Sequence, residues 1–216
     1  MSLLVLLPTL NEAGSVRIML KEIKELNLPV VISDAGSTDE TVAISKSENV
    51  PVIYRNGKGK GYGIQEGIIY AIENNFTHLL VTDADNTINA SEIKKIEPYY
   101  NKYDLIIGKR VNNKLPTRSY LANKLLTYLV NSLFDEHFID TCSGFHVFNL
   151  QKYSGALNAK NFDIDHEIIC TALAKRYSYK VVELNYTPRK TDVSKANIFS
   201  LIPVIQRIAL VRFFKR

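Results

Sequence analysis

In the first hundred residues, short apolar runs alternate with segments of helical spacing. The strand-like runs occupy 3–7, 29–32, 50–54, 77–82 and 104–108. The segments between them are polar on one face and apolar on the other, most clearly from Val16 to Leu26. Strands that alternate with helices in this way form parallel sheets with right-handed crossovers. The sequence therefore predicts the α/β class, with a doubly wound, mostly parallel sheet and helices on both faces.

The remaining elements are predicted from shorter patterns. We expect a helix at 91–100, a long helix from Arg118 to Phe134, an extended segment at 141–148, a helix at 165–175 and a strand at 180–186. The apolar N-terminus lacks a basic region and a small-residue cleavage site. It is interpreted as a first buried strand rather than a signal peptide.

Size and cysteine content restrict the class of protein. A chain of 216 residues that is 46% hydrophobic is long enough for one domain with a substantial core. Its two cysteines, Cys142 and Cys170, exclude a secreted disulfide scaffold and favour a reducing compartment.

The positive charge is concentrated near the C-terminus. From Thr171 onward there are ten Lys and Arg residues but only Glu183 and Asp192 as acids. This asymmetry indicates a polyanionic partner, either a phosphorylated substrate, an anionic membrane or a nucleic acid. No nucleic-acid motif is present, and we expect no nucleic-acid partner.

The last segment is predicted to be a basic amphipathic helix at 197–216, after a main domain at 1–196. A bilayer span needs about 20 mostly apolar residues. Pro203, Gln206 and Arg207 interrupt this one. An interfacial helix and a helix packed on its own domain are equally compatible with the pattern.

Two carboxylates follow the fourth predicted strand, in Asp83-Ala84-Asp85. Residues two apart in an extended segment point to the same side, so Asp83 and Asp85 are able to face one hard cation. Such a triplet is common by chance in a chain with 22 acidic residues, and alone it favours an ordinary loop. Its position matters more, because open α/β sheets bind ligands at the carboxyl ends of their strands.

Other predicted strands end in polar clusters as well. Pro8-Thr9-Leu10-Asn11-Glu12 follows the first strand, and Asp34-Ala35-Gly36-Ser37 follows the second. A glycine-rich turn that contains Lys60 precedes a helix, where free backbone N–H groups and lysines favour phosphate. Several such clusters on one edge of a sheet indicate a ligand site.

In this order and spacing the motifs resemble the family 2 glycosyltransferases of the GT-A fold. The resemblance covers almost the whole chain. Two later motifs, Asp140-Thr141-Cys142-Ser143-Gly144-Phe145 and Arg189 with Ser194-Lys195, resemble the dolichyl-phosphate mannose synthases and related polyprenyl-phosphate hexosyltransferases.

The resemblance implies an inverting transferase that uses a sugar nucleotide and a divalent metal, Mg²⁺ or Mn²⁺. The implied metal ligands are Asp83 and Asp85, which with Arg110 form the predicted catalytic set. The implied nucleotide-sugar contacts are Pro8, Thr9, Leu10, Glu12, Asp34, Gly36, Ser37, Lys60, Asp83 and Ala84. The implied contacts to the acceptor phosphate are Arg110, Arg118, Arg189 and Lys195, since these cations suit phosphate.

Three positions depart from the usual motifs of that subgroup. Ala35 stands where a second aspartate is common, Thr87 where mannose synthases have glutamine, and His146 where arginine or lysine is common. The donor therefore stays open between GDP-mannose, which we favour, and UDP-glucose.

The expected acceptor is dolichyl or polyprenyl phosphate, at the cytoplasmic face of a membrane to which the protein binds peripherally. Two alternatives remain at this point. One is a sugar-nucleotide transferase with a soluble or protein-linked acceptor, and the other is a nucleotide-binding module without catalysis.

Overall fold

The chain forms one seven-stranded sheet in the order β3-β2-β1-β4-β6-β5-β7. The computed structural model describes residues 2–111, 117–188 and 201–214. The strands are β1 (Leu3–Thr9), β2 (Val30–Asp34), β3 (Val52–Tyr54), β4 (His78–Val81), β5 (Leu105–Val111), β6 (His146–Asn149) and β7 (Tyr179–Asn185). The α-helices are α1 (Ala13–Glu25), α2 (Thr41–Ser47), α3 (Lys60–Glu73), α4 (Thr117–Phe134), α5 (Leu150–Tyr153), α6 (Ile164–Ala174) and α7 (Leu201–Phe214).

The first half of the sheet is parallel, as the alternating pattern predicts. β1 lies between β2 and β4 and runs parallel to both. Its residues Leu3–Leu7 are all buried, because helices cover both faces of a parallel sheet. The register pairs Thr9 with Asp34 and Leu6 with Val81, so the carboxyl ends of these three strands meet at one edge.

Two separate hydrophobic cores flank the sheet, which confirms the prediction of helices on both faces. One contains Ile64 and Ile68 of α3, with residues of α4, α6 and α7. The other contains Val16, Met19 and Leu20 of α1.

β6 departs from the parallel pattern. The predicted extended segment at 141–148 becomes a strand only at His146, and the strand runs antiparallel to both β4 and β5. Val81 at the end of β4 pairs with His146 at the start of β6. The reversal therefore brings Ser143-Gly144-Phe145 to the edge of the sheet at which β4 ends.

The helix predicted at 91–100 is instead a 3₁₀ helix, Ala90–Ile96. Its buried apolar residues Ala90, Ile93 and Ile96 recur at intervals of three, which is the period of a 3₁₀ helix. The Asn89 side chain accepts the backbone N–H of Ser91 and begins the element.

The C-terminal helix α7 packs against α6 and α4. Val204, Ile208 and Val211 are buried in the same core as Leu126 and Val130 of α4. Pro203 is tolerated because it lies in the first turn, where its missing N–H would have no helical partner. None of the helices in the described residues is both long and apolar enough to cross a membrane.

Candidate nucleotide and metal site

The carboxylate of Asp34, at the end of β2, accepts several hydrogen bonds from the ends of β1 and β2. Oδ2 of Asp34 accepts the backbone N–H groups of Gly36 and Ser37, each at 2.8 Å. Its Oδ1 accepts the hydroxyl groups of Thr9, at 3.2 Å, and Ser37, at 2.5 Å. Gly36 has a φ of +84°, which glycine adopts without strain, so the turn wraps round the carboxylate. Thr9, Asp34, Gly36 and Ser37 are therefore brought together, as the prediction requires.

Three further residues predicted to contact the nucleotide, Pro8, Leu10 and Glu12, lie around this turn. Pro8 and Leu10 are partly buried on either side of Thr9. Glu12 is buried, and its backbone N–H donates to the hydroxyl of Thr41. Ala35 is buried too, and its N–H donates to the carbonyl of Thr9.

Arg55 belongs to this site, although the sequence patterns do not single it out. Its guanidinium donates to the carbonyl oxygens of Thr9, at 2.9 Å, and Gly59, at 3.1 Å. Burial lowers the pKa of Arg55, and the negative charges of Asp34 and Glu66 oppose that shift. The one signal in the sequence is its position directly after a predicted strand, which it shares with the other strand-end clusters.

Asp83 and Asp85 lie just beyond β4, at the same edge of the sheet. Oδ1 of Asp85 accepts the backbone N–H of Thr87, at 3.0 Å, and its hydroxyl, at 2.8 Å. Thr87 thus orients the carboxylate of Asp85. The intervening Ala84 is buried, and its carbonyl accepts the hydroxyl of Ser15 at 2.8 Å.

Lys60 joins this pair of aspartates to α6. Its Nζ lies 2.9 Å from Oδ1 of Asp83 and 3.0 Å from Oδ2 of Asp165. Burial alone would lower the pKa of Lys60, but the charges of Asp165 and Asp83 outweigh it and raise that pKa. Lys60 is therefore a permanent cation between two carboxylates.

The two carboxylates respond differently to their surroundings. The pKa of Asp165 is lowered, because the charge of Lys60 and the nearby ring of His146 outweigh the effect of burial. The pKa of Asp83 is raised by burial, with the charges of Asp85 and Asp165 adding to the shift and Lys60 opposing it.

The donor set suits a hard divalent cation. Among the residues that the structure describes, no group of three or more His, Cys, Asp or Glu side chains is arranged to hold a metal ion alone. Mg²⁺ is commonly bound by one or two carboxylates together with substrate phosphates and water. Two neighbouring carboxylates such as Asp83 and Asp85 therefore fit a cation that shares its coordination with a diphosphate.

Arg110, predicted as a catalytic and phosphate-binding residue, has a side chain that is largely covered and paired. Its Nε and Nη2 donate to the two carboxylate oxygens of Asp140, each at 2.8 Å. Its guanidinium also lies over the ring of Tyr186, 5.7 Å from the centroid. Asp140 further accepts the N–H groups of Arg110 and Cys142, so the pair ties β5 to the segment that precedes β6.

Of the other predicted phosphate contacts, only Arg118 lies among the described residues. Arg118 is exposed in the first turn of α4. Arg189 and Lys195 lie outside the described residues. Their role in acceptor binding stays a prediction.

Open α/β sheets bind their ligands at the carboxyl ends of the strands, which is where these carboxylates and the lysine lie. The chain belongs to the Glycosyl transferase family 2, whose profile matches residues 4–182. That match includes Asp34, Lys60, Asp83, Asp85 and Asp165.

Two curated relatives cover most of the chain. It is 26% identical over 201 residues to "Glycosyltransferase AglJ" of Haloferax volcanii, with 90% of this chain and 65% of that protein covered. The chain thus spans somewhat less than two thirds of that relative. It is also 25% identical over 199 residues to an uncharacterized protein of Methanocaldococcus jannaschii, with 84% of this chain and 85% of that protein covered.

Solved structures confirm the predicted GT-A architecture. Glucosyl-3-phosphoglycerate synthase from Mycobacterium tuberculosis, in complex with phosphoglyceric acid, superposes with a TM-score of 0.78. The sequences are 14% identical, and the match covers 98% of this chain and 78% of that one. The same enzyme in complex with Mn²⁺, UDP-glucose and phosphoglyceric acid also has a TM-score of 0.78, at 13% identity.

Proposed function

We propose that this chain transfers a hexose, with inversion, from GDP-mannose or UDP-glucose to a polyprenyl phosphate such as dolichyl phosphate. The reaction depends on Mg²⁺ or Mn²⁺ and takes place at the cytoplasmic face of a membrane. The observation that carries the proposal is the pair of Asp83 and Asp85 beside Lys60, within a family 2 glycosyltransferase fold. It is supported by the Mn²⁺ and UDP-glucose bound to the similar M. tuberculosis enzyme.

The proposed donor lies across the ends of β1, β2 and β4. Asp34, Thr9 and Ser37 form the wall on the nucleoside side, where Arg55 adds a positive charge. Asp83 and Asp85 would hold the divalent cation, which when bound would stabilise negative charge on the departing nucleoside diphosphate. Lys60 supplies a further positive charge at this point.

The transfer itself makes one bond and breaks another. An oxygen of the acceptor phosphate forms the bond to C1 of the hexose, from the face opposite the leaving group. The bond between C1 and the diphosphate oxygen breaks, and its electron pair leaves with the nucleoside diphosphate. Because a phosphate monoester is already anionic, this acceptor requires no general base.

The surface of α4 and α7 supports a lipid acceptor and a peripheral membrane position. Most of the large hydrophobic side chains that the described residues expose lie on these two neighbouring helices. They are Tyr120, Leu121, Leu125 and Tyr128 on α4, and Ile202, Ile205, Leu210, Phe213 and Phe214 on α7. We call these nine residues the apolar helix surface.

The charges on the same two helices are all positive. α4 carries Arg118 and Lys124, α7 carries Arg207 and Arg212, and neither helix contains an acidic residue. Exposed apolar side chains beside basic residues are typical of helices that lie at an anionic membrane surface. α4 is also bonded to the site, since the Asn123 amide, oriented with its oxygen towards Arg110, accepts from Nη2 at 2.8 Å.

A soluble phosphorylated acceptor is the second candidate. Its support is the phosphoglyceric acid bound in the fold-similar M. tuberculosis enzyme. This alternative uses the same donor site and needs no contact between the apolar helix surface and lipid.

The test is a donor panel with GDP-mannose and UDP-glucose, in Mg²⁺ or Mn²⁺, with and without polyprenyl phosphate. We expect a lipid-linked sugar from one donor, only when metal is present. Asp85→Asn should abolish it, whereas Asp135→Asn, the same change at an exposed position, should not.

Other outcomes point to the alternatives. Transfer to phosphoglyceric acid but not to polyprenyl phosphate would support a soluble acceptor. Binding of a sugar nucleotide without transfer to either acceptor, and without its hydrolysis, would support a nucleotide-binding module without catalysis.

A further inference from the structure

Lys60 occupies the position of a counter-cation within the proposed metal site. Its side chain is only 7% exposed, and its Nζ contacts Asp83 and Asp165 at nearly equal distances, 2.9 and 3.0 Å. One of these carboxylates is a proposed metal ligand, and the other belongs to α6. The ammonium is therefore shared between the metal site and a helix that is distant in sequence.

Lys60 is held where it is by backbone packing. It is the first residue of α3, between Gly59 and Gly61. A Cβ on Gly59 would overlap the carbonyl oxygen of Lys160, and one on Gly61 would overlap that of Ala159. The start of α3 is thus pressed against the segment that leads into α6, which keeps Lys60 beside Asp83.

A divalent cation alone meets two obstacles at this site. It has to bind to Asp83 while an ammonium group lies 2.9 Å from the same carboxylate, and like charges at such separations repel strongly. It also finds only two carboxylates, since the described residues contain no larger group of metal ligands. A diphosphate would remove both obstacles, because its oxygens would supply further metal ligands and its charge would offer Lys60 another anionic partner.

We propose that Lys60 is the counter-cation of Asp83 when no metal is bound, and that it makes tight binding of the divalent cation depend on the nucleoside diphosphate. Asp165 is the positioning residue that keeps Lys60 at the site when its contact with Asp83 weakens. The inference rests on the proposed function, because it concerns the same donor and metal site.

This arrangement requires a measurable coupling between the two ligands. By thermodynamic linkage, the factor by which the nucleotide tightens metal binding equals the factor by which metal tightens nucleotide binding. Lys60 contributes to that factor by weakening metal binding in the absence of the nucleotide.

The experiment measures Mn²⁺ binding directly, from the electron paramagnetic resonance signal of free Mn²⁺. Titrations are made without nucleotide and with saturating UDP or GDP, whichever the wild-type protein binds. For the wild type we expect the nucleotide to tighten Mn²⁺ binding at least tenfold.

The informative variant is Lys60→Met, which removes the charge but keeps an unbranched apolar side chain. It should bind Mn²⁺ alone about tenfold more tightly than the wild type does, and the coupling factor should fall by at least tenfold. Lys58→Met is the matched control, because Lys58 is an exposed lysine of the same loop. It should leave both quantities within about twofold of the wild-type values.

Asp165→Asn provides a second test that does not require Lys60→Met to fold. In this variant Asp83 is the one carboxylate of the cluster that still pairs with Lys60, so that pair should become stronger. Mn²⁺ should therefore bind more weakly without nucleotide, and the coupling factor should rise. The inference is overturned if the folded Lys60→Met variant has the metal affinity and coupling of the wild type. Should that variant not fold, unchanged values for Asp165→Asn would overturn it.

The failures of the two proposals are distinguishable. A wild-type protein that binds no Mn²⁺, with or without nucleotide, would contradict the metal-dependent function and this inference together. A wild type with strong coupling that survives the loss of Lys60 would contradict this inference alone.

Discussion

Gly144 lies so close to Asp83 that a Cβ on it would be 2.6 Å from Oδ2 of the carboxylate. Real side chains do not approach an oxygen atom so closely, and the Nζ of Lys60 would be only 3.1 Å away. Gly144 also has a φ of +69°, which favours glycine. The Ser-Gly-Phe motif therefore places bare backbone against the proposed metal ligand.

We predict that Gly144→Ala displaces the Asp83 carboxylate, and so reduces Mn²⁺ binding in the presence of nucleotide by at least tenfold. Gly155→Ala is a matched control, because Gly155 has the same φ of +69° but a Cβ there would have no neighbour within 4 Å. Both variants should lose about 1 kcal/mol of stability through the backbone conformation. Equal Mn²⁺ affinities in the two variants would contradict the steric argument.

The pair of Arg110 and Asp140 predicts a dependence of stability on pH. The guanidinium of Arg110 and two backbone N–H groups outweigh burial and lower the pKa of Asp140 below 3.8. An acid whose pKa is lower in the folded state stabilises the fold above its unfolded pKa. This contribution is lost as the pH falls through the folded value.

Asp140→Asn should therefore cost about 3–5 kcal/mol at pH 7, since it leaves the buried charge of Arg110 without its partner. The cost should begin to shrink below about pH 4, where the unfolded chain takes up this proton, and should shrink further as the pH falls through the lower folded pKa of Asp140. Urea denaturation at pH 7 and near pH 3 measures both values, with Asp135→Asn at an exposed position as the control. A cost that is the same at both pH values would exclude this role for the ion pair.

The apolar helix surface predicts binding to anionic lipid. Replacing Leu121, Leu125, Phe213 and Phe214 by serine should remove most of the protein from floating phosphatidylglycerol liposomes, because exposed apolar area is what enters the interface. The fold should be retained, since all four side chains are exposed.

Ile69→Ser with Ile72→Ser is the control, as these exposed apolar residues lie on α3. If both sets of substitutions reduced liposome binding equally, or if neither reduced it, the apolar helix surface would not be the surface that binds the membrane. Neutral liposomes should bind more weakly than anionic ones, because the charges of α4 and α7 are all positive.

Much of the site was predictable because it depends on parallel strands. Asp34 and Thr9 each end a strand in the pattern of the sequence, and adjacent parallel strands bring such ends together. The same reasoning predicts that Asp83 and Asp85 lie at that edge. Local patterns suffice here, since the position of each residue follows from its own strand.

The contacts that complete the site depend on tertiary packing and were not predictable in the same way. Asp165 is separated from Lys60 by 105 residues, and they meet only because α6 packs beside the start of α3. The approach of Gly144 to Asp83 requires β6 to run antiparallel, and an extended pattern carries no information on strand direction. The pairing of Arg110 was also hidden, because its partner Asp140 lies in an irregular segment.

The contact of Gly59 and Gly61 with the carbonyl groups of Lys160 and Ala159 links the donor side of the molecule to its last helix. The N–H groups of Asn158 and Ala159 bind the carboxylate of Glu167, and Glu167 in turn binds Arg207 of α7 at 3.2 Å. Because each of these groups is in direct contact with the next, none can move far without displacing its neighbour. A displacement of α7 away from the domain should therefore also displace the turn that carries Lys60.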